Sequence, residues 1–207
     1  MLVLASDTQE FPVLSLHVGG AIGFVRETII DPENLQIAAF IVDGPLIKND
    51  PEIGNILLPR DIREFSPDGY IIDSTDRLVF QEDIVRLEEI MELNFDVIGL
   101  KVETSDKRPR KLGKVVDYTF DSETFMIYQI IVQRNFMKSF VDSQLTINRS
   151  QIVELDDYTI KIKHDKQQIK LENDEADFVP NFVNPFRKQD YAPEEESITD
   201  SSSTMSE

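Results

Sequence analysis

The chain has 207 residues, of which 41% are hydrophobic, enough for one or two domains with packed cores. It contains no cysteine, which excludes disulfides, thiolate metal ligands and a thiol nucleophile. Its formal net charge of −18 disfavours general binding to nucleic-acid phosphates or anionic lipid, so we expect no direct contact with nucleic acid.

The first five residues are apolar, but no basic residue precedes them, and Asp7 and Glu10 follow closely. This pattern is not typical of a signal peptide. Residues 37–42 form a strand-sized apolar run, well short of the roughly 20 residues that a membrane helix needs. We therefore expect a soluble, cytoplasmic protein without a transmembrane segment.

Two runs of β-branched and apolar residues, 23–30 and 37–42, flank the turn sequence Asp-Pro-Glu-Asn that begins at Asp31. An aspartate that opens a turn can accept hydrogen bonds from the amides two residues on. We therefore interpret Asp31, and Asp121 in a later matching turn, as turn residues and not as paired catalytic or metal-binding carboxylates. Each hairpin begins at a glycine, which favours a bulge or a close backbone approach.

The apolar period changes in the middle of the chain. Ile84, Leu87 and Met91 recur at helical spacing within residues 83–94. This pattern predicts one short amphipathic helix in the linker 81–95, whose apolar stripe clamps the units on either side.

The chain contains an internal repeat. The segment GFVRETIIDPENLQIAAFIV, from position 23, matches GKVVDYTFDSETFMIYQIIV, 90 residues later, without a gap. Upstream, residues 16–18 match residues 100–102 at an offset of 84, which implies a six-residue insertion in the second copy. Downstream, Tyr70 matches Tyr158 after a two-residue slip.

The repeat predicts an all-β fold of two homologous units, residues 11–80 and 96–171. Small antiparallel units of this size close best as barrels, because closure removes exposed strand edges. We therefore expect two tandem small antiparallel β-barrels, joined by the short helix of the linker 81–95.

The C-terminal segment 172–207 carries ten acidic and two basic residues, and its end is rich in Ser, Glu and Thr. This composition predicts a mostly disordered acidic tail. Within the tail, Phe178, Phe182 and Phe186 are separated by prolines that disfavour a helix. These three residues either pack along the folded body or form a short linear motif for a partner.

At this point the chain resembles the PRC-barrel family, the small β-barrel shared by the photosynthetic reaction centre H subunit and the C-terminal part of ribosome maturation factors. The resemblance rests on IGFVRETIID, IAAFIV and LLPRDI in the first copy, and on LGKVVDYTFD, IYQIIV and INRSQIV in the second. The tandem arrangement looks like two-barrel bacterial members of that family. The resemblance implies a binding and regulatory module that acts through protein contacts, although a fold alone does not fix function.

The sequence does not select a catalytic, metal or cofactor site. His17 and His164 are far apart, and no nucleophile-elbow or phosphate-binding loop is present. The acidic cluster at 172–177 lacks the alternating oxygen ligands of a calcium loop. We expect no enzyme activity, no cofactor and no resident metal, with an unrecognised carboxylate hydrolase as the remote alternative.

One basic cluster interrupts this acidic sequence in the hairpin between the first two strands of the second copy. It consists of Lys107, Arg108, Arg110 and Lys111, and we call it the basic tip. It is either a solvated turn or a docking point for an anionic partner.

The resulting expectation is a non-enzymatic adaptor or scaffold that binds a protein partner through barrel faces, the basic tip or the phenylalanine motif. The alternative is an accessory factor in ribosome assembly or RNA metabolism that binds a basic ribosomal protein.

Overall fold

The structure, a computed structural model, describes residues 1–134 and 144–163. Two seven-stranded sheets dominate these residues, which confirms the all-β class. The described residues belong to one compact unit of the chain. His164, the acidic tail and its phenylalanine motif lie outside the described residues. Within the described part of the chain, no helix is long and apolar enough to cross a membrane.

The chain starts with strand β1 (Leu2–Leu4), which belongs to the second sheet. The strands of the first sheet are β2 (Pro12–Ser15), β3 (Gly20–Asp31), β4 (Gln36–Asp43), β5 (Ile56–Leu57), β6 (Glu64–Ser66), β7 (Gly69–Ile72) and β8 (Leu78–Val79). Their order across the sheet is β6-β7-β2-β3-β4-β5-β8. The β2–β7 pair is parallel and the other pairs are antiparallel.

The second sheet follows two short helices, α1 (Pro45–Asn49) and α2 (Leu87–Glu92). Its other strands are β9 (Lys101–Thr104), β10 (Lys111–Asp121), β11 (Ile127–Gln133), β12 (Gln144–Asn148), β13 (Ile152–Leu155) and β14 (Thr159–Ile162). Short 3-10 turns lie at Ala5–Thr8, Pro59–Asp61, Thr75–Arg77, Gln81–Asp83 and Arg149–Gln151.

The two sheets repeat one topology. The second sheet has the order β12-β11-β10-β9-β14-β13, with β9 and β14 parallel, which reproduces the order from β5 to β6 in the first sheet. In each sheet one extra strand is added, β8 beside β5 and β1 beside β10. The internal repeat of the sequence therefore corresponds to a repeated strand order in the structure. Barrel closure and the boundaries at 11–80, 81–95 and 96–171 stay predictions.

The strand register corrects two of the sequence matches. Val13 pairs with Tyr70 in the first sheet, and Val102 pairs with Ile160 in the second. Tyr70 thus corresponds to Ile160, 90 residues later, and no slip to Tyr158 occurs. Val102 corresponds to Val13 at an offset of 89, so the insertion is one residue and not six.

The wrong match arose from apolar residues in the first hairpin connection. Leu16 and Val18 are 55% and 48% exposed, and they follow the end of β2. Their apolar side chains match the pattern of buried strand positions, although both residues lie in a solvent-exposed turn.

A close backbone approach explains the glycine at the start of each long hairpin. A Cβ on Gly23 would overlap the carbonyl oxygen of Asp43, and a Cβ on Gly113 would overlap that of Gln133. Gly113 also has a φ of +151°, which L side chains rarely adopt. The prediction of close approach at both glycines is confirmed.

The turns that join the two strands of these hairpins also agree with the prediction that each aspartate accepts backbone hydrogen bonds. Asp31 Oδ1 accepts a hydrogen bond from the Glu33 amide (2.9 Å), and Asp121 Oδ1 accepts one from the Thr124 amide (2.9 Å). The Thr124 amide, together with the Met1 ammonium group, holds the pKa of Asp121 well below its usual range. Both carboxylates therefore stabilise their turns by accepting backbone hydrogen bonds.

The two repeats meet through their equivalent hairpins. Gln36 and Met126 form an antiparallel bridge. On either side, the Ile37 amide donates to the Phe125 carbonyl, and the Ile127 amide donates to the Leu35 carbonyl, each at 2.9 Å. Because the partners are equivalent positions of the repeat, the contact has approximate two-fold symmetry.

Aromatic rings extend this contact into the core. Phe125 lies 5.9 Å from Phe40, 6.4 Å from Tyr70 and 6.0 Å from Phe120 between ring centroids. Phe40 and Tyr70 belong to the first repeat, and one continuous apolar cluster contains residues of both sheets. The two sheets therefore share a core.

Helix α2 covers the outer face of the first sheet. Leu87 is 2% exposed and packs in a second apolar cluster with first-sheet residues that include Ile29 and Ile41. Ile90 and Met91 lie against the same cluster. The predicted apolar stripe thus packs on the first sheet, and the repeats are joined by their hairpins.

Candidate functional site

The basic tip lies in the hairpin between β9 and β10, and its four side chains are exposed. The buried Thr104 closes this hairpin: its amide donates to the Arg110 carbonyl and its Oγ1 accepts from the Arg110 amide, both at 3.0 Å. Arg110 also lies 3.7 Å from the Asp106 carboxylate. The structure thus presents the tip to solvent, and its role in binding stays a prediction.

A cleft of about 810 Å³ lies beside strand β3. Its walls are drawn from three segments, residues 5–10, 25–30 and 90–98, with Ile41 and Tyr118 completing the lining. A volume of this size is typical of a ligand site. The cleft is not predictable from the sequence, because the residues that line it come from segments far apart in the chain.

The lining combines buried apolar residues with exposed charged side chains, and we call the charged part the rim. Ile29, Ile30 and Tyr118 are at most 8% exposed. Burial raises the pKa of the Tyr118 phenol, and the Asp96 and Asp117 carboxylates raise it further, so the hydroxyl remains neutral at physiological pH.

The rim is predominantly acidic. Glu10, Glu27 and Asp96 carry exposed carboxylates, and Arg26 is the single cationic side chain of the lining. The rim therefore has an excess of negative charge, which favours a cationic ligand.

One side of the cleft is a strand edge. Strand β2 pairs with β3 as far as Phe24, and the Val25 amide donates to the Phe11 carbonyl (2.8 Å). Beyond Val25, β3 continues to Asp31 with β4 on its other side. Among the described residues, no strand pairs with residues 26–31 on the cleft side.

The equivalent edge of β10 is occupied. Strand β1 pairs antiparallel with it, with Val3 opposite Phe120 and Leu4 opposite Thr119. The Ser122 amide continues the ladder by donating to the Met1 carbonyl (2.8 Å). In the second repeat, the chain's own N-terminal strand thus covers the edge of β10. In the first repeat, the equivalent edge of β3 lies beside the cleft.

Of the remaining candidates from the sequence, the structure describes only His17. His17 is exposed in the first hairpin connection, and Phe178, Phe182 and Phe186 lie beyond the described residues. In the part of the chain that the structure describes, no three histidine, aspartate or glutamate side chains converge as metal ligands.

Comparison with known proteins adds no relative: no protein-family model matches the sequence, and no curated protein is significantly similar to it.

Proposed function

We propose that the protein is a non-enzymatic adaptor, built from two PRC-barrel-like repeats, that holds a protein partner in the cleft beside β3. The shared strand order of the two sheets supports the description of the chain as two repeats. The cleft is the observation that carries the proposal, since it joins an open strand edge, apolar walls and an acidic rim in one place.

Among the lining residues, Ile90, Met91 and Phe95 are only partly buried and Ile98 is exposed, so they offer a partner apolar surface to bury, and burial of apolar area drives most protein association. The acidic rim selects a basic partner and repels acidic ones. The basic tip is a second contact in this proposal, because its exposed cations can reach an acidic region of the same partner.

Affinity purification of the tagged full-length protein from its native cell tests the proposal. The double variant Glu10→Lys/Glu27→Lys reverses two rim charges, and we expect it to recover at least tenfold less of the partner than the unaltered chain. Quantitative mass spectrometry of the eluates measures the ratio.

The matched control is Glu52→Lys/Glu82→Lys, which makes the same change of charge at exposed positions outside the cleft lining. It should recover the partner as the unaltered chain does. Equal recovery by all three proteins, or equal loss in both variants, contradicts the cleft as the docking site.

The alternative function, an accessory factor that binds a basic ribosomal protein, is favoured by the acidic rim and by the net charge of −18. The same purification separates the two functions. Ribosomal subunits that co-purify at low salt and are lost at higher salt support the accessory factor, because screening weakens contacts between exposed charges.

A further inference from the structure

We propose that the partner binds the cleft as an extended basic peptide that adds a strand to the open edge of β3, in the place that β1 takes on β10. This inference rests on the proposed adaptor function and names the chemistry of the segment that is held. Addition of a strand to a sheet edge is a common mode of peptide recognition, in which main-chain hydrogen bonds supply affinity.

Strands β3 and β10 are equivalent and have the same register. Thr28 lies opposite Phe40 in the first sheet, and Tyr118 lies opposite Ile130 in the second, a constant offset of 90. Both ladders are irregular at equivalent steps, Val25/Glu27 with Val115/Asp117 and Ile29/Ile30 with Thr119/Phe120. An edge that accepts a strand in one sheet therefore has a counterpart of the same shape in the other.

The backbone amides of β3 point towards the cleft at alternate residues, as those of β10 point towards β1. The Ser122 amide donates towards β1, and alternate residues of a strand direct their amides to the same side. The backbone amides of Phe120 and Tyr118 therefore also point to that side of β10. Their counterparts Ile30 and Thr28 direct their amides towards the cleft, where a peptide backbone can accept from them.

Beside the edge of β3, the segment equivalent to β1 has another structure. At the offset of 89 that relates Val13 to Val102, residues 91–93 correspond to Leu2–Leu4, but Met91 and Glu92 belong to helix α2 and Leu93 keeps a right-handed helical backbone at its end. Leu87 anchors this helix in the outer cluster. The chain's own counterpart of β1 is thus helical or turned, and a cleft of about 810 Å³ remains beside the edge.

The length of the open edge and the charges beside it indicate the chemistry of the occupant. Residues 26–30 offer an edge of about 17 Å, which accommodates a strand of about five residues. A peptide side chain opposite Ile30 shares the face of that buried residue, so a small apolar residue fits there. Basic residues elsewhere in the peptide meet the rim carboxylates of Glu10, Glu27 and Asp96.

Peptide binding to the full-length protein tests strand addition. The probe is a fluorescein-labelled peptide, Lys-Val-Lys-Val-Lys-Val, and fluorescence anisotropy measures its dissociation constant. We expect it to bind at least tenfold more tightly than Glu-Val-Glu-Val-Glu-Val and than the same basic peptide N-methylated at its valines. N-methylation keeps the charge but removes ladder donors.

The location is tested with the two double variants. Glu10→Lys/Glu27→Lys should weaken binding of the basic peptide at least tenfold, and Glu52→Lys/Glu82→Lys should change it less than twofold. Equal affinity for the N-methylated peptide, or equal losses in the two variants, overturns strand addition at β3.

This result is distinguishable from failure of the adaptor function. If the N-methylated peptide binds equally well, strand addition is overturned. The adaptor function is tested separately, by the recovery of a partner with the rim variants in the affinity purification. If the acidic peptide is preferred, the occupant chemistry is overturned and an acidic segment, such as the tail of this chain, takes its place.

Discussion

Replacing Phe125 with alanine is expected to lower the free energy of unfolding by about 3–5 kcal/mol. The side chain is 4% exposed and lies where the two repeats meet, with rings of both repeats around it. Its loss leaves a cavity and also removes the edge-to-face contact with Phe40, a kind of pair worth about 0.5–1.5 kcal/mol beyond burial. Urea denaturation followed by circular dichroism measures the change.

The matched control is Phe80→Ala, which removes the same side chain from a position that is 37% exposed. We expect a loss of about 1–2 kcal/mol there, because the partly exposed ring gives up less apolar burial. A loss at Phe125 no larger than the loss at Phe80 would contradict a core shared by the two sheets.

Gly113→Ala is expected to lower the free energy of unfolding by at least about 2 kcal/mol. Two independent features of the position cause this. The φ of +151° is unfavourable for alanine, and the added Cβ overlaps the Gln133 carbonyl oxygen on the neighbouring strand β11. The strand must shift to admit the methyl group, which disturbs the β10–β11 ladder.

Gly20→Ala supplies the control in the equivalent strand β3. Nothing lies within 4 Å of a Cβ at Gly20. Alanine there should change the free energy of unfolding by less than about 1 kcal/mol. Equal effects of the two substitutions would show that close approach is not the reason for glycine at Gly113.

The all-β fold and its duplication were predictable because repetition at a fixed offset reports on every strand at once. The hairpin sequences from Gly23 and Gly113 match without a gap, and the same offset holds at Ile160. The matches failed where local apolar character was misleading, as at Leu16, which is exposed in a turn.

The candidate site was not predictable in the same way. The cleft depends on which edge the N-terminal strand joins, and β1 pairs with β10 across more than a hundred residues. A comparison of the segments preceding the two copies offers the available signal. Residues 2–4 are Leu-Val-Leu and form a strand, whereas the equivalent residues 91–93 are Met-Glu-Leu and follow a helical pattern.

The central claim is that the repeat pair closes one strand edge with its own chain and leaves the equivalent edge open for a partner. Amide hydrogen exchange of the full-length, peptide-free protein, read by NMR, tests it most directly. We predict that the Thr28 amide exchanges at least tenfold faster than the Phe120 amide, which lies opposite Val3 in the β1–β10 ladder. Exchange at Thr28 as slow as at Phe120 would mean that this chain already covers the β3 edge, and it would contradict the account.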